Sequence, residues 1–137
     1  MNYSDNYLRD ILTRVKTIAL IGASDKTERP SHYVMAYLQS KGYQVIPVNP
    51  RLAGQQILGE RVYASLEEIP QPFDMLELFI ASDKVTPFVE SAIALKAQVV
   101  WMQIGVIHHE AAKLATDAGL SVVMDHCPKQ EIPRLGL

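Results

Sequence analysis

Apolar residues recur along the chain with two different periods. Tyr3, Tyr7, Leu8, Ile11, Leu12 and Val15 fall at helical spacing and make one stripe. Residues 3–15 are therefore predicted to form a lead-in helix within a segment 1–16, with Arg9, Asp10 and Arg14 mostly off that stripe. Thr17-Ile18-Ala19-Leu20-Ile21 is a nearly unbroken apolar run stopped by Gly22, as expected of a strand buried on both faces of a parallel sheet. A polar stretch follows, and then a predicted helix over 32–41 that buries Val34, Met35 and Leu38 and stops at Gly42.

The unit then repeats. Val45-Ile46-Pro47-Val48 is predicted as a second strand, and a loop runs from Asn49 to about Gly59. Ser65 and Glu68 have capping-box spacing and open a short helix. Residues 75–80 are a third strand, and Ser82 or Asp83 is expected to cap a helix with Pro87 in its first turn. Residues 99–102 are a fourth strand, 108–118 a helix ended by Gly119, and 120–124 a fifth strand, followed by a proline-containing tail. Strands alternating with helices at this spacing imply right-handed crossovers. The expected fold is α/β, a Rossmann-like three-layer sandwich with a five-stranded, mainly parallel sheet and helices on both faces. At 137 residues the chain suits one domain, 1–137.

Composition narrows the function classes. The formal net charge is -2, which gives no basic face for nucleic acid. No apolar run approaches the ~20 residues that span a bilayer, and the opening Met1-Asn2-Tyr3-Ser4-Asp5 does not read as a signal peptide. The single cysteine, Cys127, allows no internal disulfide and fits a cytoplasmic protein.

In a sheet of this kind, ligands bind beyond the carboxyl ends of the strands. In the first such loop, Gly22 lets backbone approach a ligand, Ser24 offers a hydroxyl, and Lys26 and Arg29 can pair with phosphate oxygens. The following helix adds free amides and a favourable dipole. The loop is neither a G-x-G-x-x-G fingerprint nor a P-loop, and a strand-ending turn is the plainer reading of Gly22. The second loop offers Asn49, Pro50 and Arg51, where an NAD site would present an acidic residue for the ribose. That pattern points away from NAD and toward an extra phosphate, as in NADP or the 3′-phosphate of coenzyme A, with a solvated surface arginine as the plainer reading of Arg51.

No catalytic set converges in the sequence. His108 and His109 are adjacent and point about 100° apart on a helix, which does not suit a metal pair. Cys127, just past the last strand, reads either as a buried structural cysteine or as a thiol that exchanges with a bound cofactor's thiol. Trp101 and Met102 read as core, and Gln103 as the polar group facing a ligand.

Taken together, Ile18-Ala19-Leu20-Ile21-Gly22-Ala23-Ser24, Gly42-Tyr43-Gln44-Val45-Ile46-Pro47-Val48-Asn49-Pro50-Arg51, Val100-Trp101-Met102-Gln103-Ile104-Gly105-Val106 and Val122-Val123-Met124-Asp125-His126-Cys127-Pro128 closely resemble the small CoA-binding proteins of the YccU type. That family looks like a free-standing version of the CoA-binding domain at the N-terminus of the succinyl-CoA synthetase α subunit. The resemblance implies a coenzyme A or acyl-CoA site lined by Gly22, Ala23, Ser24, Asp25 and Lys26, with Arg29 and Ser31 beside them. It also implies Asn49, Pro50 and Arg51, Ala81 and Ser82, and Met102, Gln103 and Ile104. The synthetase's phosphorylated histidine belongs to a separate domain, so ligase activity is not implied. Where the family pattern has Phe-Arg after the third strand, this chain has Phe79-Ile80. If that arginine holds a phosphate, its loss implies weaker CoA affinity or an altered pose.

The leading expectation is CoA or acyl-CoA binding without catalysis. An NAD(P)-dependent oxidoreductase and a protein-interaction module that has lost its ligand are the alternatives. The amphipathic first helix and the tail leave both a homodimer and intramolecular packing open.

Overall fold

The computed structural model describes residues 2–137. In chain order the elements are α1 (Asp5–Arg14), β1 (Thr17–Ile21), α2 (Pro30–Ser40), β2 (Gln44–Val48), a hairpin of β3 (Gln56–Ile57) and β4 (Glu60–Arg61), β5 (Met75–Leu78), α3 (Thr86–Ala94), β6 (Val99–Met102), α4 (His109–Asp117), β7 (Ser121–Val123) and α5 (Pro128–Arg134). The main sheet has the order β2-β1-β5-β6-β7, and every pairing in it is parallel. The chain builds outward from β1 to β2, then restarts on the other side of β1 with β5. The switch point, where this fold opens a crevice, therefore lies beyond the ends of β1 and β5.

Both faces of the sheet are covered. Ile18 and Leu20 of β1 pack with α1, α2 and α5, while Ala19 and Ile21 pack with α3 and α4. This two-residue alternation makes the strands apolar on both sides, which is why their sequence reads as unbroken hydrophobic runs. One position breaks the rule. Glu77 of β5 lies in register with Leu20 and Trp101, both on the α1/α2/α5 face. It is fully buried and neither carboxyl oxygen has a hydrogen-bond partner. Burial, and then the proximity of Cys127, raises its pKa well above the ordinary glutamate value.

α1 and the residues just before it also close the β7 edge, where unpaired backbone groups invite aggregation. The Tyr7 hydroxyl donates to the Val122 carbonyl and accepts from the Val122 amide, and the Tyr3 hydroxyl accepts from the Met124 amide.

Several local expectations change. The loop after β2 contains the β3–β4 hairpin, whose two-residue turn puts Leu58 and Gly59 at φ 50° and 83°. The expected proline tail is the helix α5, with Pro128 in its first turn and Pro133 inside it; Ile132 and the following Leu135 are buried in the core. Pro133 gives up the bond that an amide at its position would make to the Lys129 carbonyl, and the burial of Ile132 and Leu135 holds the segment helical. Ser65 makes no cap bond; the Glu68 carboxylate accepts from the Ala64 amide instead, and the segment closes as a single 3-10 turn. Neither Ser82 nor Asp83 caps α3, whose N-cap is Val85. His108, the predicted first residue of the fourth helix, is its N-cap and accepts from the Ala111 amide at Nδ1, 3.0 Å away.

β1 ends at Gly22, with φ +85°, where a Cβ would lie 2.3 Å from the Phe79 carbonyl oxygen. The left-handed backbone alone costs an L-residue about 1–2 kcal/mol, and here the obstacle is backbone. Gly22→Ala is therefore expected to lower stability by more than about 2 kcal/mol in urea unfolding; unchanged stability would mean that the Phe79 carbonyl moves aside. The second prediction concerns Glu77. Because its folded-state pKa is raised, the folded chain holds this proton more tightly than the unfolded chain does. Its contribution is complete below the ordinary glutamate pKa and is lost as pH rises toward the folded-state value. Glu77→Gln should consequently gain stability relative to the native chain as solution moves from acidic to neutral, measured by denaturant midpoints across pH; parallel profiles would place a compensating partner beside Glu77.

Candidate functional site

Two adjoining clefts open at the switch point, of about 570 and 600 Å³. Both volumes are in the range of small-molecule sites. Pro30 and Phe79 line both, so they form a shared wall.

The first cleft gathers Gly22, Ala23, Ser24, Asp25 and Lys26 from the β1–α2 loop, Arg29 and Ser31 from the start of α2, and Asn49, Arg51 and Leu52 from the loop after β2. Its rear is fixed by hydrogen bonds. The Gly22 and Ala23 amides both donate to the Val48 carbonyl, at 3.2 and 3.4 Å. Asn49 Nδ2 donates to the Ala23 carbonyl at 2.8 Å, and Asn49 Oδ1 accepts from the Arg51 amide at 2.9 Å. The Asn49 side chain thus clasps the first loop and sets the turn that presents Arg51. Its distance in sequence from Ala23 hides this role.

The front of this cleft suits an anion. Arg29 is the N-cap of α2 and makes no side-chain cap bond, while Pro30 occupies the first turn. The helix therefore brings the partial positive charge of its N-terminus to the cleft. Lys26, Arg29 and Arg51 all line it. None of them joins the ion pairs among the described residues, which involve Arg14 with Asp10, Lys113 with Asp117, and Arg134 with Asp5 and Glu131.

The second cleft is mainly apolar. Tyr33 and Val34 come from α2, Phe79, Ile80 and Ala81 from the end of β5, and Gln103, Ile104 and Val106 from the loop after β6. Cys127, Lys129 and Gln130 close it. Gln103 is only 8% exposed, and its Oε1 has no protein partner. Ile80, at the position where an arginine was expected from the resemblance, makes this wall apolar.

Twelve of the fifteen residues anticipated from sequence line one cleft or the other; Pro50, Ser82 and Met102 line neither. Ser82 Oγ accepts from the Ile107 amide at 3.0 Å and donates to the Gly105 carbonyl at 3.3 Å, which ties two rim loops together. Met102 is fully buried on the α3/α4 face. Among the wall residues that sequence reasoning missed, Tyr33 and Val34 lie one turn into α2, beyond the polar loop that drew attention.

Comparison with known proteins agrees with this architecture. YneT of Bacillus subtilis (strain 168) is 37% identical over 128 residues, 93% of each chain. A protein from Pyrococcus horikoshii OT3 of known structure is 41% identical, covers 99% of this chain and 94% of its own, and superposes with a TM-score of 0.94. A quarter of the dinucleotide-forming acetyl-coenzyme A synthetase 1 of Ca. Korarchaeum cryptofilum shares the fold across 79% of this chain, with 20% identity and a TM-score of 0.67. The pattern of the CoA binding domain matches residues 16–133, and the chain belongs to that family.

Proposed function

We propose that this protein binds coenzyme A or an acyl-CoA across the two clefts and performs no catalysis of its own. The observation that carries this reading is the convergence of Lys26, Arg29 and Arg51, none of them ion-paired, on the N-terminus of α2. In the proposed complex these groups hold the phosphates, and Arg51 reads the 3′-phosphate. The uncharged arm crosses the wall of Pro30 and Phe79 into the apolar cleft, where the unpartnered side-chain amide of Gln103 is the polar group beside it. Family membership supports the choice of ligand. The non-catalytic part of the reading is supported by the wall composition, since no histidine lines either cleft to serve as a base for a nucleophile.

NADP competes as a ligand on charge alone, and calorimetry separates the two. Saturable binding of CoA with NADP silent is expected; NADP binding as tightly as CoA would reject the assignment. A hydrogen bond to a charged group contributes about 1.5–3 kcal/mol. Arg51→Ala should therefore weaken CoA by roughly 10- to 100-fold while affecting dephospho-CoA much less. Equal losses for both ligands would remove Arg51 from the 3′-phosphate.

A further inference from the structure

We propose that Cys127 forms a reversible mixed disulfide with the thiol end of CoA, so that the apolar cleft is a site of covalent thiol capture. The proposal rests on the CoA reading above and adds a reaction to it. Cys127 is the only cysteine in the sequence. It is 6% exposed and lines the second cleft, away from the cations of the first. A ligand held by its phosphates in the first cleft has its far end in the second. Gln103 is an independent sign that the second cleft is built for a ligand: it is more than nine-tenths buried, lines the same walls, and has an unpartnered Oε1. Burial of Cys127 also limits attack on disulfides that have no handle to bring them into the cleft.

The step is a thiol–disulfide exchange with CoA disulfide. Cys127 Sγ, after losing its proton to solvent, attacks one sulfur of the CoA disulfide. The Sγ–S bond forms, the S–S bond of the reagent breaks, and the second CoA leaves as a thiolate that takes a proton from water. Cys127 sulfur is oxidised and the departing sulfur reduced, so no further reagent is needed. Excess free thiol reverses the reaction.

The test is to incubate the full chain with CoA disulfide or with glutathione disulfide and follow adducts by intact mass spectrometry without reductant. The expected result is a CoA adduct that forms at least about tenfold faster than the glutathione adduct, disappears with dithiothreitol, and is absent in Cys127→Ser. It should slow in Arg51→Ala, in which the thiol is untouched. Equal rates with the two disulfides, or no slowing in Arg51→Ala, would reduce Cys127 to an ordinary accessible thiol and overturn the proposal. Saturable CoA binding by calorimetry with no adduct would overturn covalent capture and leave the binding function standing. Absence of both would overturn the CoA reading itself.

Discussion

The site depends on how the chain leaves β1. At Gly22 it passes so close to the end of β5 that a Cβ would meet the Phe79 carbonyl oxygen at 2.3 Å. On the opposite side the Gly22 and Ala23 amides are drawn to the Val48 carbonyl at the end of β2. The carboxyl ends of three adjacent strands, β2, β1 and β5, are thereby brought together on one side of the sheet. Asn49 completes the arrangement from the β2 side by binding the Ala23 carbonyl and the Arg51 amide together. The next residues, Ser24 to Arg29, are then projected over the crevice with Arg51 opposite them. Placing these groups on fixed backbone, rather than on a free loop, lowers the ordering entropy that binding would otherwise cost.

Beneath this rim, Glu77 violates the apolar pattern at the centre of the sheet. An unpartnered buried carboxyl is destabilising, and protonation is the cheapest way to reduce the cost. Cys127, which adds to the upward shift at Glu77, therefore has a neighbour inclined to be neutral. The two groups connect the interior of the α1/α2/α5 face to the apolar cleft, since Cys127 belongs to that core and also lines the cleft.

The fold was legible because its strands are buried on both faces. β1 and β6 occupy the residues that their apolar runs mark, and Gly42 and Gly119 end their helices at positive φ. The hairpin β3–β4 was not legible, because Leu58 takes a left-handed conformation that residue preferences assign to glycine or asparagine. α5 was hidden by two prolines that normally argue against a helix. In the site, charge and loop position identified the first cleft. The second needed tertiary information, since its walls come from α2, β5, the loop after β6 and the start of α5. The alternation along β6 does explain Met102: Trp101 faces α1, α2 and α5, so Met102 must face α3 and α4.

Ile80, where the resemblance implied an arginine, changes how charge is divided between the clefts. Ile80 lines the second cleft and not the first. With isoleucine there, the second cleft is mainly apolar and carries Lys129 alone as a cation, while Lys26, Arg29 and Arg51 line the first. Such a pair of sites suits a ligand that is anionic at one end and uncharged at the other.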